Sequence, residues 1–170
     1  MKGASTSRLT LLALCLALSL ALFLVELRLP LFAAVPGFKL GLANIVTVLA
    51  LVSFRLREAL ALLVARIFLG AFLSGNFVAL SFSLTGGLFA LAGGLLALRL
   101  WRKIPLAALG VIGALCHNLG QLLIASIWLA TSDVFLYAPV LLSLAVCTGS
   151  ATGFLAQLLL MRLRCAHTSL

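Results

Sequence analysis

Three polar constellations interrupt an otherwise apolar chain, and each has residue types suited to holding a ligand. The first is Pro36-Gly37-Phe38-Lys39-Leu40-Gly41-Leu42-Ala43-Asn44. Pro36 and Gly37 break an incoming helix, and Lys39 then stands at the start of the next one. A helix start offers unpaired N–H groups and partial positive charge, to which Lys39 adds a full one. The segment therefore suits an anionic or carbonyl group, with Asn44 a turn further on. The second is Arg66, in the middle of an apolar run. A charge at that depth of a bilayer costs about 2.5–3.5 kcal/mol, so it must face the interior or a wet cavity. The third is His117-Asn118 with Gln121; His117 and Gln121, at i and i+4, share a helix face with Gly113. Each has a plainer reading. Lys39 would snorkel from an interfacial turn, Arg66 would tether backbone carbonyls, and the helix 5 group would bond neighbouring helices.

Catalysis has little to work with. The chain has three acidic residues, Glu26, Glu58 and Asp133. They supply no adjacent carboxylate pair, no metal cluster and no Asp-rich motif, and there is no Gly-x-Ser-x-Gly elbow or P-loop. Glu58 falls on nearly the same helical face as Arg66 but about 12 Å away along the axis, beyond direct pairing. Cys15, Cys116, Cys147 and Cys165 are spread singly, which argues against a disulfide frame or a zinc site. The reading is a protein that is not an enzyme and needs no cofactor.

The elements that must position these residues are membrane helices. The 170 residues are 65% hydrophobic and 9% charged, with a mean hydropathy of +1.33. So few charges cannot cover a soluble surface. A net charge of +9 raises nucleic acid as a partner, but no basic stretch with interleaved aromatics is present, and none is expected. The apolar runs give one all-α membrane domain over 1–170, a bundle of six transmembrane helices at about 9–25, 40–54, 59–73, 77–98, 106–130 and 134–161. The first run is too long for an export signal and lacks a small-residue cleavage site, so it reads as a membrane helix. Several runs fall short of the roughly 20 residues a span needs. Nine cations, Lys2, Arg8, Arg55, Arg57, Arg99, Arg102, Lys103, Arg162 and Arg164, fall on one side and only Arg28 and Lys39 on the other. The positive-inside rule then puts both termini in the cytoplasm and the Lys39 loop outside a cell membrane, inner or plasma.

Small residues recur every fourth position on three helices: Ala13, Ala17 and Ala21; Gly86, Ala90 and Gly94; Ala145, Gly149 and Gly153. Such stripes let backbones approach closely in lipid. The last two read as packing inside the bundle. The first lies on a helix with almost no other polar or small chemistry, so it is free to meet a partner.

Four motifs, in this order, resemble the Gx transporter family, also labelled heptaprenyl diphosphate synthase component I. They are the Pro36–Asn44 segment, Arg66-x-x-Leu69-Gly70, Ser83-Leu84-Thr85-Gly86-Gly87 and His117-Asn118-Leu119-Gly120-Gln121. The resemblance runs from about Leu27 to Gly153. The family is similar to the six-helix S components of energy-coupling factor (ECF) transporters. It implies a substrate-binding subunit of an uptake system, with the loop between helices 1 and 2 capping the ligand. It also implies a transmembrane coupling subunit, met by Ala13, Ala17 and Ala21, and two separate ATPase subunits. The expected site is an outward pocket of Lys39, Asn44, Arg66, His117, Asn118 and Gln121, and its cationic bias points to a small anionic cofactor or precursor. The synthase label fits poorly as catalysis, because a prenyl diphosphate synthase needs Asp-rich motifs to hold magnesium and Asp133 is the chain's one aspartate. A non-catalytic membrane accessory of polyprenyl or quinone metabolism is the alternative, as is a structural subunit of an electron-transfer assembly.

Overall fold

The computed structural model describes residues 3–28, 41–101 and 103–168, with side chains between 8 and 162. Helices follow one another in the order α1 (Gly3–Arg28), α2 (Asn44–Ser53), α3 (Leu56–Ser74), α4 (Phe77–Leu100), α5 (Leu106–Leu129) and α6 (Ala138–Thr168). A 3₁₀ turn, Asp133–Tyr137, precedes the last, and there is no strand among the described residues. Four segments are long and apolar enough to cross a membrane: Arg8–Arg28, Phe77–Leu100, Leu106–Leu129 and Asp133–Arg162. This is a multi-pass helical membrane protein by length and composition.

The two remaining helices depart from a uniform six-span pattern. α3 is 19 residues long and carries Arg57, Glu58 and Arg66. α2 has 10 residues, about 15 Å of helix, or half of a ~30 Å hydrocarbon layer. Its expected start at Leu40 moves to Asn44. Gly41 has φ +71°, a left-handed conformation that cannot continue into a helix, and the Gly41 carbonyl accepts the Asn44 N–H at 2.8 Å. α6 likewise starts at Ala138 rather than Val134. Pro139, expected inside the helix, sits in its first turn, where its missing N–H leaves no gap.

Short as it is, α2 is the middle of the molecule. Residues Ile45 to Ala50 are all buried, and α2 touches each of the other five helices. One side, Val46 and Ala50, packs with Ala59, Leu62, Leu63 and Ile67 of α3 and Leu91 of α4. The other, Ile45, Val48 and Leu49, packs with Ala97, Leu109 and Ala156. A helix apolar all round can be satisfied only by being enclosed.

Around this centre the helix ends are fixed locally. The Glu58 carboxylate accepts the Arg55 N–H at 2.8 Å, closing the first turn of α3, and also accepts from the Arg8 guanidinium of α1 at 2.7 Å. Gly75 ends α3 at φ +65°, and Asn76 caps α4 by accepting the Ala79 N–H at 3.0 Å.

α4, α5 and α6 form one wall with almost no side chain between their backbones. Gly110 of α5 lies against Gly149 and Gly153 of α6, and Gly120 lies against Thr85 and Gly86 of α4. Gly86, Ala90, Gly94, Ala145, Gly149 and Gly153 are all buried, so these two stripes are internal packing. Ala13, Ala17 and Ala21 are exposed on the outer face of α1.

A Cβ at Gly110 would strike the Gly149 carbonyl, whereas one at Gly113, a turn away, would meet nothing within 4 Å. Gly110→Ala should therefore destabilise the fold by about 1–3 kcal/mol through overpacking. Gly113→Ala should stabilise it by up to about 1 kcal/mol through helix propensity. Thermal unfolding in detergent, read side by side, checks the opposite signs.

Candidate functional site

α2 leaves space beside it because it is too short to fill the bundle. A cavity there is lined from all six helices and opens at one end; the space between its walls, solvent at the mouth included, is about 1070 Å³. Glu26, Gly41, Ser74 and Asn76 stand at one end of it, where α1 and α3 finish and α4 begins.

Five of the six expected site residues line this one cavity: Asn44, Arg66, His117, Asn118 and Gln121. Lys39, with Pro36 and Gly37, lies outside the described residues. Asn44 is the first residue of α2, so the α2 terminus points its opening turn into the space. Arg66 reaches it from α3, about 12 Å along the helix from Ser74. Its neighbours Leu63 and Ile67 pack on Gly87, and the adjacent Gly86 makes room for the His117 ring. Arg66 and His117 therefore face the cavity at the same height, from opposite walls. A side chain at Gly86 would sit 2.8 Å from that ring, so the glycine is what lets an imidazole fit between α4 and α5.

Arg66 is 9% exposed, and its Nε has no hydrogen-bond partner. Arg8–Glu58 is the one ion pair among the described residues, so Arg66 has no carboxylate within 4 Å. Glu26 lines the same cavity and attracts Arg66 through space without touching it. Glu26 itself accepts the Gly41 N–H at 2.6 Å, which holds the chain entering α2 against the end of α1. A desolvated guanidinium with an open N–H, in a cavity otherwise lined by His117, amides and hydroxyls with Glu26 at the rim, can bind an oxyanion by charge-assisted hydrogen bonds.

The other groups divide. Asn118 donates its amide to the Leu141 carbonyl of α6 at 2.9 Å, so it ties α5 to α6 as well as lining the space. Gln121 lies one turn toward the mouth from His117. Sequence reasoning missed Glu26, counting it only among the acids that form no catalytic pair. With three acids in the chain, one that ends a membrane helix beside the polar loop was the available signal. It missed Thr47, Thr148 and Thr152 too; Thr148 and Thr152, at i and i+4 on α6, repeat the spacing of His117 and Gln121.

Fold and cavity together define a multi-pass helical membrane protein with an internal cavity. The model of the family described as heptaprenyl diphosphate synthase component I matches residues 15–159, a stretch that contains every residue lining the cavity. The chain belongs to that family. No curated protein and no solved structure matches it significantly.

Because Asn118 is bonded across to α6, Asn118→Leu should lower the unfolding temperature without any ligand. The loss should be about 0.6 kcal/mol and no more than about 1.7, the range for hydrogen bonds between membrane helices. Denaturation of the purified variant in detergent measures it; an unchanged midpoint would leave Asn118 as a cavity residue only.

Proposed function

We propose that the chain is the substrate-binding membrane subunit, or S component, of an ECF-type uptake transporter for a small anionic cofactor or precursor. The observation that carries the reading is Arg66. A charge is held nine-tenths buried, facing a cavity, with its Nε unpartnered and no carboxylate of the described residues within 4 Å. Leaving such a group unanswered costs a membrane protein free energy, and a bound anion answers it. His117 and Gln121 stand where they can orient that anion.

The reading has six spans, with both termini cytoplasmic and the cavity mouth outward. The cation distribution sets the sense. It has a transmembrane coupling subunit docking on Ala13, Ala17 and Ala21, which are exposed, and two ATPase subunits supplying energy that this chain has no motif to supply. On this reading the protein is not an enzyme.

The family description favours a second reading, a non-catalytic membrane partner of a polyprenyl diphosphate synthase. Gentle purification from its native membrane separates them: co-purifying ATPases support transport, a prenyl synthase the alternative.

Two further outcomes are expected. Arg66→Leu should weaken binding of the co-purifying anion by about 1.5–3 kcal/mol, the worth of a hydrogen bond to a charged group. It should leave the ligand-free unfolding temperature unchanged or raised, since an unpaired buried charge is removed. Unchanged affinity beside a fallen melting temperature would make Arg66 a fold tether. Cysteine placed at Ser74 should be labelled from outside intact cells, and one at Arg99 should not; the reverse pattern would invert the topology.

A further inference from the structure

Below the height of Arg66 and His117 the cavity continues, and its character changes. Toward its far end it is lined by Val48, Leu51, Ala90, Leu109 and Ala114. Leu51 and Leu109 come together over Gly94, eight residues along α4 from the glycine that faces His117. That places the closed end about 12 Å beyond the imidazole. Two of the polar residues of this lower part already have partners. Thr148 donates to the Leu144 carbonyl at 3.1 Å, and Thr152 to the Gly149 carbonyl at 3.0 Å. No charged side chain of the described residues lines it. The face of α5 that bears Gln121 and His117 continues down to Gly113, where even an added Cβ would find nothing within 4 Å. Space therefore begins at the α5 backbone itself.

We propose that the substrate is an amphipathic anion: an oxyanion head at Arg66 joined to a short apolar tail lying along Gly113 toward Leu51 and Leu109. This rests on the reading of the cavity as an anion site and adds the direction and chemistry of the rest of the ligand. Water in the lower part would find few open hydrogen-bonding groups, so an apolar group gains by replacing it. The head stays at the level where the open N–H of Arg66 is. A depth of about 12 Å suits a tail of a few carbons or a single ring, and excludes a long polyprenyl chain lying wholly inside.

The test uses the full chain in phosphatidylcholine nanodiscs, with empty discs as the control for partitioning. Calorimetric titration compares acetate with hexanoate, and inorganic phosphate with hexyl phosphate. Hexanoate should bind at least tenfold tighter than acetate, or hexyl phosphate at least tenfold tighter than phosphate; the tighter pair tells a carboxylate from a phosphate head. Gly113→Leu should erase that gain while leaving the short probes unaffected and the unfolding temperature no lower. Gly113→Ala, which adds one methyl group, should keep most of it. Chain-length-independent binding that still requires Arg66 would overturn the apolar subsite alone, as would an equal loss for short and tailed probes in Gly113→Leu. Failure of all four probes to bind, or binding indifferent to Arg66→Leu, would overturn the anion site and this proposal with it.

Discussion

The close approach of α5 to both α4 and α6 is the constraint on which the rest of the molecule depends. At Gly110, Gly149 and Gly153 one helix backbone rests directly on another, and at Gly86 and Gly120 the same holds on the other side. Lipid offers no hydrophobic drive for helix association, so such contacts hold a wall together by dispersion and exclude side chains that would pry it open. A wall built this way is rigid at the seams and free to carry chemistry on its inner face. His117 is the clearest case, because the glycine opposite it serves the seam and the ring at once. The short α2, buried on every side, then supports the wall without filling the space in front of it.

Charge follows from that architecture. With three acids against twelve lysines and arginines, most cations must be answered by lipid headgroups, water or ligand. Glu58 is used at the start of α3, by Arg8 and the Arg55 N–H. Glu26 is used at the rim, by the Gly41 N–H. Neither is left to neutralise Arg66 at contact distance. Glu26 still attracts it across the cavity and leaves its open Nε to be bonded by something else. The arrangement is consistent across levels: the residue most costly to bury faces an internal space that can receive a counter-charge.

Much of this was legible in the sequence because membrane helices announce themselves by composition, and because polar residues inside them are few enough to be suspects individually. Asn44, Arg66, His117, Asn118 and Gln121 stood out by that scarcity, and the fold brings them to one cavity. Two things were not legible. The start of α2 at Asn44 depends on a left-handed Gly41 and a tertiary hydrogen bond from Glu26, neither of which a local pattern encodes. The partner of Glu58 was equally hidden, since Arg8 is fifty residues away in sequence and a search confined to one helix could only exclude Arg66. Asn118 shows the converse limit. Its type and depth fit a ligand group, but only the packed structure reveals that Leu141 holds its amide.

α1 has two faces, and they are unequal in what they require. Inward it presents Phe23 against Gly70, the rim carboxylate of Glu26, and Ser19, whose hydroxyl is fully buried without a hydrogen-bond partner. Outward it presents Ala13, Ala17 and Ala21 among exposed leucines. Exposure of those leucines needs no explanation in a bilayer, where lipid chains are as apolar as they are. The alanines are different, because a lipid-facing helix gains nothing from being smooth on one stripe, whereas a partner helix gains close approach. If a coupling subunit docks there, as proposed, its helix and the ligand grip opposite faces of a single rigid element. That element is pinned at Arg8 by Glu58 and at Glu26 by Gly41. Any tilt of α1 imposed by the partner must then shift either the ion pair at one end or the cavity rim at the other.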